Sequence, residues 1–256
     1  MNILVVGHAR SGTTYLIRTI QAHPEVKQTF FEHYIMNNNP KGKIFQLKSF
    51  KGRHGSKYIN CNLKTDNMAE KILYTKRKFG KGDKTVLDYC DDWNEVFGDN
   101  SRIIHIVRYP LDTLLSHMKS LKKQFGGNEE KMLKQGIKHS INFSKETPAI
   151  IDELLPVENI IHIKFEDFVL NQSETLKKIF KHCGLTNNKK LIEKLTGNRK
   201  PRTDRTFAYR RVLNNSSLKG HPLMRKIVAN IENEDMNNTI ESLNRIHGIK
   251  YKPWYM

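Results

Sequence analysis

The sequence predicts an α/β fold: a single domain, residues 1–256, with a central parallel sheet of about five strands flanked by helices and a P-loop-like turn after the first strand. Three observations lead there. Short β-branched apolar runs alternate with longer stretches of helical spacing, the pattern of parallel strands joined by crossover helices. The composition, 38% hydrophobic and 27% charged, is that of a globular chain and excludes disordered and fibrous proteins. The first apolar run passes through a glycine-bounded turn straight into a helical segment, Ile3 to Arg18.

In chain order, strands are expected at Ile3 to Val6, Tyr58 to Leu63, Thr85 to Tyr89, Ile103 to Val107 and Ile160 to Ile163. Helices are expected at Thr14 to Gln21, Met68 to Lys78, Pro110 to Lys122, Glu129 to Leu155 with Pro148 as a candidate break, and Ser173 to Cys183. Leu223 to Ile231 and Met236 to Ile246 return to helical spacing and are expected to pack back on the sheet. Asn37 to Ser56 and the basic stretch Asn198 to Ser217 read as long loops. In such a sheet ligands gather at the carboxyl ends of the strands, so functional residues belong in the loops that follow them.

No run reaches the roughly 18 apolar residues of a membrane span, and no basic lead precedes an apolar signal core, so a soluble, cytoplasmic protein is expected. Cys61, Cys90 and Cys183 form neither a paired disulfide framework nor a C-x-x-C spacing, which fits a reducing compartment. The 44 bases less 26 acids leave +18, a field that draws anions. Asn occurs 23 times and Ala 6 times, a coding bias toward Lys and Asn that leaves most lysines as solvated surface. The basic residues are dispersed, with no zinc-finger spacing and no aromatic RNP pattern, so a nucleic-acid-binding module is the weaker alternative.

The loop Gly7-His-Ala-Arg-Ser-Gly-Thr-Thr14 has the architecture of a phosphate cradle. Gly7 and Gly12 allow a tight turn that aims successive N–H groups and the positive end of a helix at an anion. Thr13 and Thr14 add hydroxyls, and Arg10 adds a delocalised cation. A nucleotide triphosphatase loop reads G-x-x-x-x-G-K-[ST], with the Lys on the β/γ-phosphates. Here Thr13 stands at the Lys position, which argues against the alternative of a P-loop kinase and for metal-free transfer from a donor without a γ-phosphate. A second strand enters a helix at Arg102 to Ser116, with Arg108 at the strand's end and Pro110 suited to a first helical turn. Leu111, Leu114, Leu115, Met118 and Leu121 form an apolar stripe there, and Ser116 lies on another face, so Arg108 and Ser116 can clasp a second phosphate.

Gly7 to Thr14 resembles the 5′-phosphosulfate loop of sulfotransferases, which use 3′-phosphoadenosine 5′-phosphosulfate (PAPS). Ala22-His-Pro-Glu-Val26 is similar to the segment that follows this loop in tyrosylprotein and carbohydrate sulfotransferases, which also carry Arg at the position of Arg10 where cytosolic small-molecule enzymes carry Lys. Arg108 and Ser116, eight residues apart within I-V-R-x-P-x-D, resemble the family's 3′-phosphate motif. Glu158 to Phe168, then a helix ending His182-Cys-Gly-Leu185, is similar to its E-D-L and F-L-G-L pattern, so the resemblance spans residues 1 to 185. It implies transfer of a sulfuryl group from PAPS to a hydroxyl or amine acceptor, a carbohydrate among the candidates, with adenosine 3′,5′-bisphosphate (PAP) as product and no metal. It also implies that Arg10, Ser11, Gly12, Thr13, Thr14 and Tyr15 bind the 5′ side and Arg108 and Ser116 the 3′ side, with Arg10 also stabilising the leaving group. Phe165 replaces an aromatic hydroxyl of some relatives, and the basic stretch Arg199 to Arg211 occupies the place of the late nucleotide loop without matching it.

Sulfuryl transfer needs a base for the acceptor. Relatives carry a Glu shortly after the H-P-x-V element, which favours Glu32, where two preceding aromatics can desolvate the carboxyl. His33 is the second candidate, and Asp88, Asp91 and Asp92 are a third. Lys41, Lys43, Lys48, Lys51, Arg53, His54 and Lys57 follow in the long loop, from where they would draw in an anionic acceptor.

Overall fold

The computed structural model describes residues 1–31, 67–74, 84–197 and 222–252, together with the backbone at 46–47, 50–51, 57–58, 61–62 and 78–79. Five strands make the sheet: β1 (Asn2–His8), β2 (Val26–Phe31), β3 (Asn67–Tyr74), β4 (Ser101–Val107) and β5 (Ile160–Lys164). Their spatial order is β5-β4-β1-β3-β2, and every pairing is parallel. β1 lies at the centre with all its residues buried, as its unbroken apolar run requires when helices cover both faces.

The helices are α1 (Thr13–Gln21), α2 (Val86–Phe97), α3 (Pro110–Phe125), α4 (Glu129–Leu154), α5 (Phe165–Leu170), α6 (Gln172–His182), α7 (Lys189–Gly197), α8 (Pro222–Val228) and α9 (Asn233–Arg245). On one face Ile3, Val5, Ile104 and Ile106 pack against α1, α5, α6 and α7 through Leu16, Ile17, Phe168, Ile179 and Ile192. On the other, Leu4, Val6, Met68 and Ile72 meet Trp93 of α2 and Ile150 and Leu154 of α4. The carboxyl-terminal helices α8 and α9 cover α3 and α4 rather than the sheet itself, so the expected return to the sheet is a return to its helical layer.

Three expected elements differ. Met68 to Lys78 was expected as a helix, yet Asn67–Tyr74 is a strand between β1 and β2. Its apolar residues mimic helical spacing because both faces of this strand are covered, which erases the alternation that a half-exposed strand would show. Within Tyr58 to Leu63, the described residues 58 and 61–62 belong to two-residue strands, 57–58 and 61–62, each paired antiparallel with a two-residue partner and not with the main sheet. Thr85 to Tyr89 opens α2: Thr85 is its N-cap, and the Asp88 carboxylate accepts from the Thr85 N–H at 2.6 Å while the Asp88 N–H donates to the Thr85 hydroxyl at 3.2 Å. That reciprocal capping box overrides the β-propensity of the run. α4, by contrast, runs unbroken through Pro148. Proline leaves the Ser144 carbonyl without its helical donor, and the buried Thr239 hydroxyl of α9 donates to that carbonyl at 2.9 Å.

Histidines fill the core beneath the carboxyl edge of the sheet. The Tyr74 hydroxyl lies 2.8 Å from His105 Nε2, and His105 Nδ1 lies 3.0 Å from His162 Nδ1, a chain that a neutral His105 satisfies in either direction. His8 makes edge contacts with Tyr74, His139 and Phe143, and His117 stacks on His139 at 3.6 Å. Burial holds the imidazoles well below their usual 6.5, with His8 near 3, His117 and His162 near 4, and His139 near 2.

Each ring stays neutral in the folded chain and takes a proton near 6.5 once unfolded, so acid favours unfolding. The stability they contribute is full above about pH 6.5 and is lost as pH falls toward 4; for His8 alone the loss at pH 5 is about 2 kcal/mol. Asp112, raised to about 6, and the raised carboxyls of Glu166 and Asp91 work in the opposite direction, but the lowered imidazoles outnumber them. The urea midpoint is therefore expected to drop steeply between pH 7 and pH 5, and a flat profile would show that the rings protonate without unfolding.

Candidate anion-binding site

The loop after β1 is folded onto its own backbone. Ser11 donates both its N–H, at 3.0 Å, and its hydroxyl, at 2.7 Å, to the His8 carbonyl, and the Ala9 N–H donates to the Tyr74 carbonyl at 2.9 Å. Ser11 is thus a structural member of the turn, with both of its donors committed. Gly7 is crowded: a Cβ there would lie 2.7 Å from the Ile106 carbonyl oxygen and from the Thr13 methyl. Gly12 combines a φ of +102° with the Phe165 ring, 2.3 Å from where its Cβ would stand. Arg10 also has positive φ, 77°. α1 starts at Thr13 with no side-chain cap; the Tyr15 and Leu16 N–H groups donate to the Gly12 carbonyl at 2.9 and 3.0 Å, so the amides of Thr13 and Thr14 are the helix-end donors with no acceptor inside the helix.

Two side chains of this turn are set by partners the sequence did not flag. Lys71, buried in β3, donates from Nζ to the Thr14 hydroxyl at 3.1 Å. The exposed Thr14 therefore accepts from an ammonium inward and keeps its own proton for a ligand. Tyr15 accepts from Gln172 at 2.8 Å and packs on Phe168.

The second motif stands beside the first. Arg108 follows β4, Tyr109 caps α3, and Pro110 is its first residue. The Arg108 guanidinium stacks on Phe165 at 4.5 Å and donates to the Arg10 carbonyl at 3.2 Å, while Arg10 Nε donates to the Ser116 hydroxyl at 3.3 Å. Arg10, Arg108 and Ser116, far apart in sequence, thus form one cluster. Arg108 Nε is buried and has no partner among the described residues, an orphan donor of the kind an anion satisfies. Burial pushes the Arg108 pKa down and Arg10 adds to this, whereas Asp112, Glu166 and Tyr251 support the charge. Burial lifts Asp112 to about 6. The buried Glu166 carboxylate accepts from the Tyr109 N–H and from the Tyr251 hydroxyl, each at 2.9 Å.

Of the expected site residues, Arg10 to Tyr15, Arg108 and Ser116 come together at the carboxyl ends of β1 and β4. Asp88, Asp91 and Asp92 lie on the first turns of α2, with Asp88 engaged in its cap. Glu32 and His33 lie outside the described residues; Phe31, which precedes Glu32, pairs with Lys71 across the sheet. Arg199 to Arg211 also lies outside, as do Lys41, Lys43, Lys48, Arg53 and His54, and only backbone is described at Lys51 and Lys57. Lys71 and Glu166 could have been found by one signal, a charged residue inside or directly after an apolar run.

The model of the sulfotransferase family matches residues 2–189. No match was found among curated proteins. Similar solved structures include mouse sulfotransferase SULT7A1 complexed with PAP, at 16% identity over 76% of this chain and 61% of that one with a TM-score of 0.49. The sulfotransferase from Alicyclobacillus acidocaldarius aligns at 15% identity over 81% and 94% with a TM-score of 0.45, and the sulfotransferase domain from the curacin biosynthetic pathway at 15% over 74% and 75% with 0.46. The chain spans about three fifths of the length of the mouse enzyme.

The Gly12 geometry carries its own test. Gly12→Ala meets both a left-handed backbone and the Phe165 ring, and is expected to lower unfolding free energy by about 1–3 kcal/mol. Denaturant titration reads this directly; an alanine tolerated without loss would mean that the loop reaches α5 less closely.

Proposed function

The chain belongs to the sulfotransferase family, and from that premise we propose that it transfers a sulfuryl group from PAPS to a hydroxyl or amine acceptor, a carbohydrate being the first class to test. The observation that carries the donor assignment is the cluster of Arg10, Arg108 and Ser116: two anion-binding motifs joined by hydrogen bonds suit a nucleotide phosphorylated at both its 5′ and 3′ positions. The crowded Gly7 and Gly12, the uncapped α1 and the orphan Arg108 Nε fit such a ligand. One sheet carries both motifs, which supports reading residues 1–256 as one domain.

PAPS when bound would supply an activated sulfuryl group on a doubly anchored nucleotide. The α1 amides and Thr14 would hold its 5′ side and Arg108 and Ser116 its 3′ side. Lys71 keeps the Thr14 hydroxyl turned outward as a donor. Arg10 is the cation of the loop available to neutralise charge on the leaving oxygen. Glu32, one residue past the pairing of Phe31 with Lys71, is the favoured base for the acceptor proton, with His33 second. An anionic acceptor would be drawn by the lysines that follow.

Calorimetry is expected to show PAP binding well ahead of adenosine 5′-phosphate without added magnesium. Arg108→Ala should erase most of that preference, since a charge-assisted contact contributes on the order of 1.5–3 kcal/mol. Equal affinity of the wild-type chain for both nucleotides would sink the two-subsite reading.

Chemistry is tested separately, by radiolabelled sulfate transfer across a panel of acceptor classes. Glu32→Gln is expected to cut turnover by roughly 10²- to 10⁴-fold with PAP affinity nearly unchanged. Turnover that survives Glu32→Gln but not His33→Ala would move the base to His33.

A further inference from the structure

The family match ends at residue 189, yet a residue well beyond it reaches the second anion motif. We propose that Tyr251 is a positioning residue for the 3′-phosphate subsite, holding the Glu166 carboxylate away from Arg108 so that the guanidinium remains open to the ligand; this rests on the nucleotide reading above. Tyr251 is itself fixed. Asn244 of α9 accepts from the Tyr251 N–H at 2.6 Å and donates to the Tyr251 carbonyl at 3.0 Å, so helix and tail are bracketed together. The ring lies 5.6 Å from that of Tyr109 and under the Lys164 ammonium at 4.8 Å, and Lys164 also donates to the Lys250 carbonyl at 3.2 Å. From this seat the phenol donates to Glu166 Oε2, while Oε1 takes the N–H of Tyr109, the residue after Arg108.

Both carboxylate oxygens of Glu166 thus have neutral donors at 2.9 Å, and among the described residues no ion pair joins Glu166 to Arg108. Arg108 is nevertheless the cation whose field acts on this buried carboxylate. Without the phenol, Oε2 loses its donor, and a buried carboxylate oxygen left unpaired turns to the charged donor in reach. The guanidinium would then be neutralised by its own protein instead of by a phosphate. Asp112 and Arg10 also face Arg108.

The test is Tyr251→Phe, which keeps the ring on Tyr109 and Lys164 and removes only the hydroxyl, with the ligand-free melting temperature as the folding control. PAP affinity is expected to fall about five- to tenfold while adenosine 5′-phosphate binding stays within about twofold, so that 3′-phosphate selectivity is what is lost. Adding Glu166→Gln to Tyr251→Phe removes the competing charge and is expected to restore most of the selectivity. PAP affinity unchanged in Tyr251→Phe, equal weakening of both nucleotides, or no recovery in the double variant would overturn the proposal. A wild-type chain that fails to prefer PAP would instead overturn the nucleotide reading, and this proposal with it.

Discussion

Both anion loops depend on the contact between the Phe165 ring and the α-carbon of Gly12. A side chain at Gly12 would push the first loop away from α5, and the ring would no longer serve as a floor for Arg108. The ring therefore sets two distances at once: how deeply the loop after β1 settles, and where the guanidinium after β4 stands above it. Arg108 then ties back to the first loop through the Arg10 carbonyl, and Arg10 reaches across to Ser116. A phenylalanine does this as well as a tyrosine because the role needs a flat apolar face and no hydroxyl. The contacts that Phe165 makes with Gly12 and Arg108 are therefore open to it without the aromatic hydroxyl that some relatives carry.

Around this stack, charge is kept where it can be used. The imidazoles of His8, His117 and His139 lie close by, but burial holds them neutral near pH 7, so they add bulk without adding cations. The working positive charges near the loops are Arg10, Arg108 and Lys71, each with a defined partner for at least one donor. Glu166 is satisfied by a peptide and a phenol, which leaves it ionisable without closing on Arg108. Neutral histidines and a diverted carboxylate make a site that is electropositive by arrangement. The chain's overall +18 is a different matter, spread over solvated lysines.

The sequence disclosed the parts of the fold governed by local rules. β1, β4 and β5, together with α1, α3 and α6, stand where apolar runs, Pro110 and glycine-bounded turns put them. It misled where tertiary context wins. β3 is covered on both faces and so lost its alternation, and the capping box of Thr85 and Asp88 turned a β-branched run into the start of a helix. That the two candidate motifs stand at the carboxyl ends of β1 and β4 was legible because each follows an apolar run at a fixed offset. Lys71 and Glu166 show in the sequence only as charged residues in or directly after an apolar run; their partners, like the contact of Tyr251, are remote in the chain, and spacing along a single sequence carries no such information.

The strand order explains why the site is assembled this way. From β1 the chain crosses to the edge strand β2, returns through β3, and only then passes to the far side of β1 to form β4 and β5. Connections from β1 and β4 therefore leave in opposite directions and open a crevice at their carboxyl ends, which is where a ligand can lie across the sheet. The Gly7 to Thr14 loop and Arg108 are the two lips of that crevice. β3 and β2 lie on the other side of β1, so Lys71 approaches the first loop from the flank opposite Arg108. The order of the strands thus sets the loop after β1 and the residue after β4 face to face before any side chain is chosen.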